Sequence, residues 1–136
     1  MFKKLVFIFD LWKAYSLAGI DDKQTLSLLN KHSNEIEKYE DKFPDYYILR
    51  GSIHFDLGNY SVAQNDLEHA TQLLTKNQHY NIDEKKYLYS YIYNYLANIL
   101  YKKDDPEWKI FDDLSKRKNF DLAKVRSNLQ HNFPLE

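Results

Sequence analysis

Apolar residues recur at three- and four-residue steps along most of this chain, the spacing that places side chains on one face of an α-helix. In residues 3–18, Leu5, Phe9, Trp12 and Ser16 share one side of such a helix, with Ile8, Leu11 and Tyr15 beside them. The unbroken apolar run over residues 5–9 fits the start of a strand as well. Residues 23–42 carry Leu26, Leu29, Ile36, Tyr39 and Phe43 on one face and Glu35, Lys38 and Asp41 on the other, which predicts one amphipathic helix. From 84 to 103, tyrosines alternate with other residues in a way that imitates a strand. The stretch is too long for one strand without a turn, and Ala97 and Leu100 fall at helical spacing, so a helix is expected. Wound as a helix, it has three faces. Leu88, Ile92, Leu96 and Ile99 form a stripe for burial. Ser90, Asn94, Ala97 and Tyr101 form a smaller-residue face, and Tyr87, Tyr91, Tyr95, Asn98 and Lys102 form a third.

The breaks between these patterns have chemical reasons. Gly19-Ile20-Asp21-Asp22 interrupts the first, and Asp21 or Asp22 can cap the helix that follows. Pro44 stops one helix and suits the first position of the next. Gly58-Asn59 tolerates left-handed backbone angles and lets the chain reverse. After Lys76 comes a polar loop in which Asn81 or Asp83 can act as a cap. Asp104-Asp105-Pro106 ends the tyrosine-rich helix and opens a short one carrying Trp108, Phe111 and Leu114. Asn119 or Asp121 can cap a last helix bearing Leu122, Val125 and Leu129.

Residues 45–76 hold the most specific pattern. Small residues stand where two helix backbones approach closely, and Tyr47, Gly51, Gly58, Tyr60, Ala63, Leu67 and Ala70 fall in the register of a tetratricopeptide repeat, a helix-turn-helix unit of about 34 residues. The chain resembles that family over about a quarter of its length. Arg50 replaces the usual Leu, His54 the usual Tyr, and Thr75 a common closing Pro. One repeat cannot cover its own apolar faces, so neighbouring hairpins are needed. The resemblance therefore implies an all-α, right-handed solenoid of about six to seven helices in a single domain. Its hairpins are expected at about 3–42, 44–76 and 84–117, with a capping helix at about 120–131. It further implies a concave groove lined by the first helix of each repeat. Asp45, Ile48, Ser52 and Phe55 would face that groove from the central hairpin, and Tyr91, Asn94, Tyr95 and Asn98 from the next. Ile48 and Ser52 occupy the positions where carboxylate-clamping repeats carry Lys and Asn, which argues against that specificity.

Composition narrows the class of function. At 136 residues with a net charge of −1, the chain has one domain's length and no overall field for nucleic acid or anionic lipid. Lys116, Arg117, Lys118, Lys124 and Arg126 make the C-terminal part locally basic, but without the interleaved aromatics of a nucleic-acid site. Three glycines and three prolines are few turn signals for an all-β chain. No cysteine is present, so disulfides, thiol catalysis and Cys-based zinc sites are excluded. Lys3 and Lys4 ahead of residues 5–9 imitate a signal peptide, but the run is shorter than the usual apolar core and lacks a small-x-small cleavage site. It is also too short to span a bilayer, and a cytoplasmic location is expected.

Catalytic chemistry finds little in the residues. His32, His54, His69, His79 and His131 are scattered, none in a His-Glu-x-x-His spacing, and neither a phosphate-binding glycine loop nor a Gly-x-Ser-x-Gly elbow occurs. Glu68-His69 with His79 is the one grouping that offers an alternative of another class, a small metal- or ligand-binding enzyme. No metal site, cofactor or catalytic residue is assigned. The expected function is a non-catalytic adaptor binding a protein or peptide in a tyrosine-lined groove. Tyr87, Tyr91, Tyr95, Asn98 and Lys102 add the third helix face to the groove residues named above. Usage rich in Asn, Lys and Tyr points to an AT-rich bacterial genome. A narrower alternative, resting on size and missing chemistry, is an immunity-type protein that neutralises a cognate toxin.

Overall fold

The computed structural model describes residues 10, 13, 14, 16, 17, 19–38 and 43–116. The expected capping helix at 120–131 lies outside them, as does the apolar run over residues 5–9. Six complete helices are described: α1 (Asp22–Lys31), α2 (Ser33–Lys38), α3 (Pro44–Asp56), α4 (Tyr60–Lys76), α5 (Ile82–Lys102) and α6 (Trp108–Ser115). The described residues between 10 and 17 are also helical, and no strand occurs among the described residues. The fold is all-α and built from helical hairpins.

The central hairpin is α3 against α4. Leu57, Gly58 and Asn59 turn the chain, with Gly58 at φ +82°, a backbone angle that costs an L side chain about 1–2 kcal/mol. Gly51 marks the close approach. A Cβ there would stand 2.9 Å from Leu67 Cγ and 3.2 Å from the Ala63 carbonyl oxygen. Replacing Gly51 with alanine sets a helix-propensity gain of about 1 kcal/mol against overpacking of about 1–3 kcal/mol. A net loss of about 1 kcal/mol is expected, growing with Gly51→Val, and chemical denaturation of the three proteins side by side measures it.

Arg50, one of the three departures from the repeat pattern, explains itself across this hairpin. Its Nε and Nη2 donate to the two Asp66 oxygens on α4 at 2.8 and 2.7 Å, and its guanidinium lies 5.2 and 5.3 Å from the Tyr46 and Tyr47 ring centres. The Asp66 carboxylate, through these bonds, raises the Arg50 pKa above its already high ordinary value. A forked, charge-assisted pair thus replaces the apolar contact that leucine would make.

Helix α1 packs on α3, and the Tyr46 hydroxyl donates to the Leu29 carbonyl at 2.8 Å. The expected single helix over 23–42 is instead broken at His32, with α2 restarting at Ser33. His32 Nε2 lies 2.6 Å from Asp10 Oδ2, and Lys31 Nζ lies 3.0 Å from the same oxygen. The His32 hydrogen bond is the largest of several effects that hold the Asp10 carboxyl below its ordinary pKa. Capping follows the sequence at two places. Asp21 accepts from Gln24 N, and Asn81 and Glu84 form a reciprocal capping box at the start of α5. Pro106 sits in a turn before α6, with Asp105 Oδ1 accepting from Glu107 N at 2.9 Å, so the short helix begins two residues beyond the expected first position.

The core is drawn from α2 to α5: Ile36, Tyr46, Ile53, Leu67, Leu74, Ile92 and Ile99 are almost completely enclosed. Each large aliphatic side chain so buried stabilises by about 1.5–3 kcal/mol. Among the described residues, no buried side-chain nitrogen or oxygen lacks a hydrogen-bond partner. No described helix is long and apolar enough to cross a membrane.

Candidate functional site

The tyrosine-rich helix α5 is where packing and exposure divide. Its predicted stripe of Leu88, Ile92, Leu96 and Ile99 is buried. On the small-residue face, Ser90 and Ala97 are buried while Asn94 and Tyr101 are exposed. Tyr89 and Tyr93 stack with ring centres 5.8 Å apart, and Tyr93 meets Phe111 of α6 at 5.8 Å. The Tyr89 hydroxyl is hydrogen-bonded to Thr75 Oγ1 of α4 at 2.7 Å. These two rings fasten α5 to its neighbours.

The third face is different. Tyr91, Asn98 and Lys102 are exposed, and Tyr87 and Tyr95 are half-buried. Tyr95 stands edge-on to Phe55 of α3 at 5.4 Å, Phe55 lies 5.5 Å from Tyr60 of α4, and Tyr91 lies 5.1 Å from Tyr95. Three helices therefore contribute one row of rings, Tyr60, Phe55, Tyr95 and Tyr91, that ends in a ring 40% exposed. Tyrosine suits such an edge, since its body is apolar and its hydroxyl tolerates water. The Tyr91 hydroxyl donates to the Tyr95 hydroxyl at 3.5 Å, and Asn98 Nδ2 donates to the Asn94 carbonyl at 2.8 Å. Burial pushes the Tyr95 phenol well above its ordinary pKa, helped by its bond from Tyr91 and by the charges of Asp56 and Asp22.

The ten residues expected to line a groove are thus split. Phe55, Tyr91 and Tyr95 come together, with Tyr87, Asn94, Asn98 and Lys102 on the accessible part of α5. Asp45, Ile48 and Ser52 are each less than a tenth exposed, so in the free chain they are not open groove surface. The Ser52 hydroxyl turns back to the Leu49 carbonyl at 2.7 Å. Asp45 accepts from the Tyr80 hydroxyl, which reaches it from the loop before α5. Burial pushes its carboxyl up to about 6, a rise that the Tyr80 bond opposes and the Glu84 charge assists. Packing, then, claims most of α3 from Pro44 to Ile53, and the accessible aromatic surface sits at its C-terminal end.

Two contributors were not among the expected site residues. Tyr60 reads as a turn residue in the repeat register, yet its ring continues the row. Asp56 ends α3, where the helix dipole disfavours an anion, and that conflict is visible in the sequence. The histidine grouping does not assemble. His69 packs edge-on against Tyr47 at 4.5 Å, His79 is exposed in the loop, and among the described residues no three His, Asp or Glu side chains are placed to hold a metal ion. Comparison with family models, curated proteins and solved structures finds no match to this chain.

Proposed function

We propose that this chain is a non-catalytic, cytoplasmic adaptor that binds a segment of a protein partner across the α3–α5 aromatic face, in the manner of the tetratricopeptide repeats it resembles. The observation that carries the reading is the row of rings from three helices ending in exposed Tyr91. A fully internal aromatic cluster would serve packing alone. Here the inner members are fixed by neighbours and the outer one meets solvent, the arrangement of a rigid anchor held ready for a partner. Asn94, Asn98 and Lys102 give the same face hydrogen-bonding capacity.

The test is capture of a partner from the source cells by the tagged full chain and by its Tyr91→Ala variant. Truncating one exposed anchor is expected to weaken capture roughly tenfold or more, a loss of about 1.4 kcal/mol or more. Helical circular dichroism and the unfolding midpoint should stay unchanged, because Tyr91 contributes little to the core. Equal capture by both proteins would overturn the reading.

A further inference from the structure

We propose that residues 77–81 form a strap, latched to α3 by the Tyr80–Asp45 hydrogen bond, that opens locally when the Asp45 carboxyl gives up its proton and so uncovers the head of the α3 face. The inference concerns the free chain and stands apart from the adaptor reading. The strap has a pivot at each end. At the first, Asn77 Oδ1 accepts from His79 N at 2.7 Å and from Tyr80 N at 2.9 Å, a turn made within the loop itself. At the second, Asn81 and Glu84 exchange hydrogen bonds of 2.8 Å and fix where α5 begins. Between them Gln78 and His79 are exposed, and among the described residues neither takes part in a backbone–backbone hydrogen bond. Tyr80 turns inward instead. It is 6% exposed, and its hydroxyl donates to Asp45 Oδ1, 35 positions earlier in the chain.

The latch has the chemistry of a proton sensor. Asp45 is 8% exposed, its donor is a phenol, and none of the ion pairs among the described residues includes it. Asp66 shows the contrast, an enclosed carboxylate held by the Arg50 cation. An enclosed carboxylate without a cation is costly to ionise, and a phenol donor offsets only part of that cost. The titratable groups that act on Asp45 are the Tyr80 phenol from the strap and the Glu84 carboxylate from α5. Burial pushes the Asp45 carboxyl up to about 6 with the strap closed, against the Tyr80 bond and with the help of the Glu84 charge. Released to water, the carboxyl returns toward its ordinary 3.8. A proton held more tightly in the closed form favours closure at low pH, and its loss as pH rises through about 6 favours opening. Opening frees Asp45, which heads the stripe of Asp45, Ile48, Ser52 and Phe55 that helical spacing lays along α3 toward the aromatic row.

Limited chymotrypsin digestion of the full chain, with fragments identified by mass spectrometry, reads the opening, because a cut after Tyr80 requires its ring to leave α3. A cut after Tyr46, which is 1% exposed, reports unfolding of the whole fold. Tyr80 is expected to be cut at least about tenfold faster than Tyr46, as a local opening requires. With rates scaled to those of a short peptide spanning residues 77–84 at each pH, the Tyr80 cut should quicken about fourfold from pH 5.5 to pH 7.5. Asp45→Asn should remove that rise. Tyr80→Phe keeps a site for the protease and deletes the latch, leaving an enclosed carboxylate without its donor, so its cut at pH 7.5 should be roughly tenfold faster or more. A Tyr80 cut no faster than the Tyr46 cut would overturn the strap, since the loop would then open only with the fold. So would equal rates for Tyr80→Phe and the natural chain. A pH rise retained in Asp45→Asn would overturn Asp45 as the sensing group. Capture by Tyr91→Ala decides the adaptor reading separately, so either proposal can fail alone.

Discussion

Replacing Arg50 with alanine is expected to cost about 3 kcal/mol of unfolding free energy, because it leaves the Asp66 carboxylate buried without its cation. Asp66 is 8% exposed at its side chain and receives both guanidinium bonds, so water does little to replace them. The same change strips the Tyr46 and Tyr47 rings of the group that covers them. Most of the loss is therefore a penalty on the orphaned partner rather than the net worth of the pair. That distinction has its own test. The Arg50→Met, Asp66→Leu double variant should recover most of the stability, since apolar replacement of both partners removes the buried charge. Urea unfolding measures both, at an unchanged m value. A loss below about 1 kcal/mol for Arg50→Ala would mean that the pair behaves as a solvent-screened surface bridge.

Replacing Asp45 with asparagine is expected to stabilise the protein at neutral pH. The folded pKa of about 6 exceeds the ordinary value of 3.8, so the folded state binds this proton more tightly than the unfolded chain does. The stabilising contribution of protonation is fully present below about pH 4 and is lost as pH rises through about 6. Ionised Asp45 then sits enclosed near Glu84, whose backbone and side chain serve the Asn81 capping box. A difference of about two pKa units corresponds to about 2–3 kcal/mol. Asparagine keeps an acceptor for the Tyr80 hydroxyl but carries no charge. The two proteins should thus be nearly equally stable at pH 4 and differ by about 2–3 kcal/mol at pH 7.5 in favour of Asp45→Asn. A difference independent of pH would assign the effect to packing instead. Asp10 works in the opposite sense: its depressed pKa contributes stability above the unfolded value that is lost as pH falls, which is why the comparison with Asp45→Asn is the informative one.

The helical class, the α3–α4 hairpin and the faces of α5 were legible because they are local. The spacing of Gly51 and Gly58 implies a packing contact and a turn, and the structure puts a Leu67 atom 2.9 Å from the Cβ that Gly51 lacks and a positive φ at Gly58. The break at His32 was not legible, since Leu29 and Ile36 are seven residues apart and satisfy an unbroken helix equally well. Its tie is Asp10, a residue 22 positions away whose pairing no local period encodes. The same limit applies to the site. The repeat register groups Phe55 with the Tyr91–Tyr95 face, and Phe55 stands 5.4 Å from Tyr95. The register also places Asp45 on open surface, where Tyr80 reaches back 35 residues to enclose it. Loop length between hairpins set that outcome, and the repeat pattern carries no information about an extended loop.

The claim that most needs a direct answer is that Tyr91 faces the partner. The photo-crosslinking residue p-benzoylphenylalanine can stand in place of Tyr91 and, separately, of Ile110, an apolar position on α6 that is more exposed than Tyr91. Irradiation of source cells carrying each version is predicted to yield one discrete adduct from position 91 and none from position 110. An adduct from position 110 with none from position 91 would contradict the account.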